Sequence, residues 1–137
     1  MVTGQELLCF EFEILQRMLY ILSLAETTAS SHALKSKIRE RTAKLDQLEN
    51  QFQILSSQRG WELRELQPLS RKMISIRFRC RNDPSIAEYL IRLYTDITIA
   101  ALKYYNRWEQ DDGSVRSLFQ KLLDFCTVGI RQMELFL

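Results

Sequence analysis

Hydrophobic residues recur every three or four positions over most of this chain, and the pattern is cleanest between Asn82 and Asp111. There Ile86, Leu90, Leu93, Ile97, Ala100, Tyr104 and Trp108 follow one another at spacings of four, three, four, three, four and four. Such spacing draws one continuous stripe along an α-helix and predicts a seam for other helices. Asp83 is placed to cap the start. Pro84 falls at the first helical position, where its fixed φ suits the helix and its missing N–H costs nothing.

The same period predicts three more helices. Thr3 to Glu6 spells TGQE, a capping box in which the Thr hydroxyl and the Glu carboxylate each satisfy a backbone N–H. The helix it opens carries Leu8, Glu11, Leu15, Met18, Leu22 and Ala25 on one face. Phe10, Phe12, Ile14, Leu19 and Ile21 widen its apolar arc, so more than one neighbour must cover it. Small polar residues from Thr27 to Ser31 make a tight turn into a second helix. Its inner stripe is Leu34, Ile38, Arg41, Leu45, Leu48, Phe52 and Leu55, and it stops at Arg59-Gly60-Trp61 with Gly60 just past the end. The last helix follows Asp111-Asp112-Gly113, with Ser114 as its expected cap and Val115, Leu118, Leu122, Cys126, Gly129, Met133 and Phe136 on one side. Gly129 is a misfit there, worth about 1 kcal/mol less than Ala unless a close approach requires it.

Between the second and third helices the period changes. Ile74, Ile76, Phe78 and Cys80 alternate with Ser75, Arg77, Arg79 and Arg81 like a half-buried strand, whereas Leu69, Met73, Ile76 and Cys80 also fit a short helix. Both readings stay open, and a strand here needs a partner from a second copy. The chain thus reads as one all-α domain, a four-helix bundle over about 4–25, 31–57, 84–109 and 115–136 with a connection at 58–83. Two short hairpins joined by two dozen residues match the one-crossover topology of ferritin-like bundles. A helix of about 25 residues is ~37 Å long and an extended chain covers ~3.3 Å per residue, so the connection can run the full length.

Composition adds little to this and removes several alternatives. The 137 residues are 46% hydrophobic and 26% charged, ordinary for one globular domain, and four Gly and two Pro leave the helices uninterrupted. Cys9, Cys80 and Cys126 are odd in number and lack CxxC spacing, against a disulfide framework or zinc site and in favour of a reducing compartment. The first helix has no basic leader and contains Glu11, Glu13 and Arg17, so it reads as a core helix rather than a signal or anchor, and the expected location is cytoplasmic, with no membrane partner.

Chemistry is sparse. Glu11, mid-face on the first helix, stands where a ferritin-like di-iron protein would place a ligand, but the Glu-x-x-His motifs such a site needs are missing and the sole histidine, His32, lies at a helix start. Arg41 interrupts the inner stripe of the second helix. Stacking the helices in one-crossover order puts Glu11 and Arg41 ~10 Å apart in level, with Tyr104 near Glu11 and Asp96 near Arg41 as partners, the alternative being that Arg41 snorkels to the surface along its stem. No catalytic residue, cofactor or metal is assigned, and no phosphate loop or nucleophile motif is present.

The net charge is +2, but Arg71, Lys72, Arg77, Arg79 and Arg81 are concentrated in the crossover, and without them the remainder carries −3. That stretch is a candidate surface for an anionic partner, nucleic acid or acidic protein, although only Phe78 is interleaved for base stacking. Ile74, Ile76 and Phe78 are apolar enough to seek a contact, expected with a second copy in a homodimer.

The turn AETTASSHALKSKI between two amphipathic helices, and the RGW that ends the second of them, resemble the CotF-like spore coat proteins of bacteria. The resemblance covers less than half of the chain, and Glu62 stands where that family usually has Tyr. It implies a metal-free ferritin-like bundle with a structural or assembly role, acting by self-association, and it transfers no catalytic residue. The competing expectations are a small module that binds an anionic partner through the crossover and, more remotely, a di-iron enzyme.

Overall fold

A computed structural model describes residues 1–63, 82–108 and 113–137. These residues form four helices: α1 (Gly4–Thr28), α2 (His32–Arg59), α3 (Asp83–Tyr105) and α4 (Gly113–Glu134). Among the described residues there is no strand, only an isolated bridge between Val2 and Trp108. The strand-or-helix alternatives for 69–81 lie outside the described residues, as do Cys80 and the basic and apolar candidates from Arg71 to Arg81.

The capping box at the start of α1 is formed, with Glu6 N–H donating to the Thr3 hydroxyl at 3.1 Å and Thr3 N–H to the Glu6 carboxylate at 3.2 Å. The helix outlasts the expected Ala25. Thr27 and Thr28 stay helical by donating their hydroxyls to the Leu24 carbonyl, which shortens the turn to Ala29–Ser31. The Ser31 hydroxyl accepts from Leu34 N–H and caps α2.

At its other end α2 closes with two backbone bonds, Trp61 N–H to the Ser56 carbonyl at 2.8 Å and Gly60 N–H to the Ser57 carbonyl at 3.2 Å. This is the Schellman arrangement. It requires a left-handed residue, and Gly60 has φ of 65°. Trp61 folds back over the end of the bundle, its ring 3.4 Å from where a Cβ on Gly4 would lie.

Two helix starts differ from the sequence reading. Asn82, not Asp83, caps α3 through Ser85 N–H at 3.0 Å, and Pro84 is the second residue of the helix. Asp83 is free to reach the α1–α2 turn, where its carboxylate accepts from Ser30 N–H at 2.9 Å and the Ser30 hydroxyl at 3.0 Å. Helix α4 begins at Gly113, so Ser114 lies inside its first turn rather than at its cap.

The stripe on α3 also drifts. Its buried positions are Ile86, Ala87, Leu90, Leu93, Tyr94, Ile97 and Ala101, while Ala100 and Tyr104 are half-buried. A straight helix has 3.6 residues per turn, so a 3.5-residue spacing slides round it and Ala101 replaces Ala100 at the core. Helix α3 ends at Tyr105; Trp108 lies beyond it, held by Val2 N–H donating to the Arg107 carbonyl at 3.0 Å.

Pair contacts fix the directions of the helices. Phe12 faces Phe52 with ring centroids 6.2 Å apart, and Arg39 bonds Glu26, so α1 and α2 are antiparallel neighbours. Tyr94 meets Phe125 at 5.9 Å and Tyr105 stacks on Phe119 at 4.2 Å, so α3 and α4 form the second antiparallel pair. Ser30 binds the start of α3, and Phe10 stacks on Tyr104 near its end at 4.2 Å, so α3 runs against α1. Helix α1 touches all three others, as its wide apolar arc requires. The core between them is fully buried at Leu7, Leu8, Leu15, Phe52, Leu90 and Leu122, each contributing roughly 1.5–3 kcal/mol by leaving water.

Candidate functional site

Polar groups converge at one point in this core, around Arg41. Its side chain is 1% exposed although it sits on the apolar stripe of α2. Nε donates to the Tyr94 hydroxyl at 3.2 Å, Nη1 to Gln132 Oε1 at 3.1 Å, and Nη2 to the Phe125 carbonyl. The guanidinium carbon lies 3.7 Å from the Phe125 ring centroid and 5.3 Å from that of Tyr94. A buried cation is thus held by three neutral oxygens and two ring faces, which together replace the water it lost.

The expected partner, Asp96, is exposed on the outside of α3. It is two residues past Tyr94 and so about 200° further round the helix, pointing away from the core when Tyr94 points in. The residues that do hold Arg41 come from α3 and α4, and sequence reading missed them. One signal was present: Gly129, the misfit of α4, leaves the room that the guanidinium fills. A Cβ there would lie 2.8 Å from Arg41 Nη2 and 2.8 Å from Tyr94 Cε2.

The knot shifts its titratable neighbours. Burial pushes the Tyr94 phenol up to about 12, against the pull of the Arg41 charge. Burial likewise pushes the Cys126 thiol up to about 12, with Thr98 and Arg41 acting the other way, so it is an unreactive thiol. Cys9 is also buried and free; its Sγ donates to the Glu62 carbonyl at 3.3 Å.

Glu11 is fully buried on α1, and neither carboxylate oxygen has a hydrogen-bond partner among the described residues. Burial alone raises its pKa well above the ordinary 4.5. Tyr104, the expected partner, is half-buried and turns its ring onto Phe10 instead. The pairing of Phe12 with Phe52 and of Glu26 with Arg39 sets Glu11 about twelve residues from Arg41 in level, ~18 Å at 1.5 Å per residue, further than the ~10 Å expected. Glu13, two residues on in the same apolar helix, is only 6% exposed.

On the outside, a groove of about 240 Å³ runs along α3, lined by Asp96, Ile99, Ala100, Lys103, Tyr104 and Arg107. Ile99 is 48% exposed, and neither Asp96 nor Lys103 has a hydrogen bond or ion pair among the described residues. Ile99, an apolar residue off the inner stripe, was a faint signal of this strip.

Among the described residues no group of three or more His, Cys, Asp or Glu side chains is placed to hold a metal ion. No described helix is long and apolar enough to cross a membrane. Comparison with known protein families, with curated proteins and with solved structures finds no match.

Proposed function

We propose that this chain is a non-enzymatic structural or assembly protein of spore-coat type, a ferritin-like bundle that acts by self-association. The observation that carries this reading is the closed knot at Arg41. The polar groups that converge in the core are occupied by one another, and even a methyl group at Gly129 has no room beside them. Their role is to set how the helices pack, and activity is left to the outer surface.

Helix directions support the one-crossover topology: Glu62 lies beside Cys9 at one end of the bundle and Asp83 beside Ser30 at the other. The two segments that carry the CotF-like resemblance are both structural elements here, the Ala29–Ser31 turn and the Arg59-Gly60-Trp61 stop with its Schellman bonds. Size-exclusion chromatography with light scattering at low and high salt, with and without DNA, tests the reading. Concentration-dependent multimers without DNA are expected; a monomer that changes mass only with DNA would replace it with the anionic-partner reading.

A further inference from the structure

The groove on α3 has a charge pattern that complements itself. Asp96 and Lys103 are seven residues apart, two turns along one face, with Ile99 and Ala100 between them. Some exposed charges are matched within their own helix, as Lys37 with Glu40 and Arg92 with Glu88. Asp96 and Lys103 have no such partner among the described residues, and Ile99 between them is 48% exposed.

We propose that this strip of α3 binds the same strip of a second copy, antiparallel about a two-fold axis. With the axis between Ile99 and Ala100, Asp96 of each copy faces Lys103 of the other, and each Ile99 lies over the small Ala100 of its mate. Both ion pairs and the apolar crossing form at once, because the contact is isologous. The small side chain at the crossing lets the helices approach closely. Arg92 would fall opposite Arg107 of the other copy in this register, so contact is confined to the two central turns, and a crossing angle near ~50° separates the ends. An interface of this extent falls below the ~1,200 Å² of standard complexes, and the dimer is accordingly weak and concentration-dependent.

The inference rests on the self-association proposed above and names its surface. Charge reversal tests it, read as mass by light scattering over a concentration series. Asp96→Lys alone and Lys103→Asp alone each set like charges face to face and should weaken dimerisation about tenfold or more. Mixing the two variants in equal amounts should restore the dimer, since each then supplies what the other lacks, and the Asp96→Lys/Lys103→Asp double variant should dimerise by itself. All the altered side chains are exposed, so thermal melts should match the wild type. If both single variants assemble like the wild type, or the mixture stays monomeric, the α3 strip is not the interface. Loss of assembly in Ile76→Lys with these variants unaffected would move the interface to the 73–81 stretch and leave the proposed function standing. A wild-type chain that is monomeric at every concentration would overturn both.

Discussion

Gly129 and Arg41 share one space: a Cβ added to the glycine would lie 2.8 Å from the guanidinium Nη2. In an exposed helix Ala would improve on Gly by about 1 kcal/mol, but here the added methyl meets side chains that are already pinned. Gly129→Ala is expected to destabilise by about 1–3 kcal/mol through overpacking. In an Arg41→Met background, which removes the guanidinium, the same change should cost less, with a coupling of at least about 0.5 kcal/mol in urea denaturation. Equal costs in both backgrounds would mean that Tyr94, not Arg41, sets the limit at this site.

Glu11 makes stability depend on pH. Its pKa in the fold is raised above the unfolded value near 4.5, so the folded protein binds the extra proton. The contribution is complete below the unfolded pKa and is lost as the pH rises through the folded one. Replacement by Gln removes the titration, and replacement by Leu also removes the unpartnered acceptors. At pH 7 both variants should be more stable than the wild type, Leu by about 1–3 kcal/mol; near pH 4 the Gln gain should vanish, while Leu keeps the part due to the removed acceptors. A gain that stays constant with pH would show that ionisation is not its source.

Asp83 acts in the opposite sense. Burial pushes its carboxyl up, but hydrogen bonds from Ser30 and Ser31 outweigh it and hold the pKa below the ordinary 3.8. The stabilisation is therefore present above the unfolded pKa and lost as the pH falls through the folded one. Asp83→Ala should speed hydrogen exchange at the Ser30 amide and lower the melting temperature at neutral pH, with no effect in strong acid. Unchanged exchange at Ser30 would contradict this pinning of the α1–α2 turn.

The helices were legible because burial imposes a period on the sequence, and the four inner stripes carry it. Ends were less so: Asn82 and Asp83 are both good caps, and only the nearness of Ser30 assigns Asp83 to the turn instead. Side-chain partners were hardest to read. The period marks Arg41 as inward but says nothing of which residue on another helix it meets, and Tyr94 and Asp96, close in level but about 200° apart on α3, are told apart only by the direction of the core. Ile99 and Ala100 are legible as a surface strip only once the direction of the core is known.

The knot around Arg41 draws its members from α2, α3 and α4: Arg41 itself, Tyr94, and Phe125 with Gln132. Helix α1 has no part in it; its buried face is apolar apart from carboxylates such as the isolated one of Glu11, and Glu26 near its end bonds Arg39 of α2. The bundle thus holds a three-helix knot fixed by directional bonds, beside which α1 presents an apolar face with one isolated carboxylate. Rising pH favours the ionised form of Glu11 against its burial and so loosens α1. Native-state exchange with rising pH should release the central amides of α1 ahead of those around Tyr94 and Phe125, a sub-global opening in which one helix leaves while three remain joined.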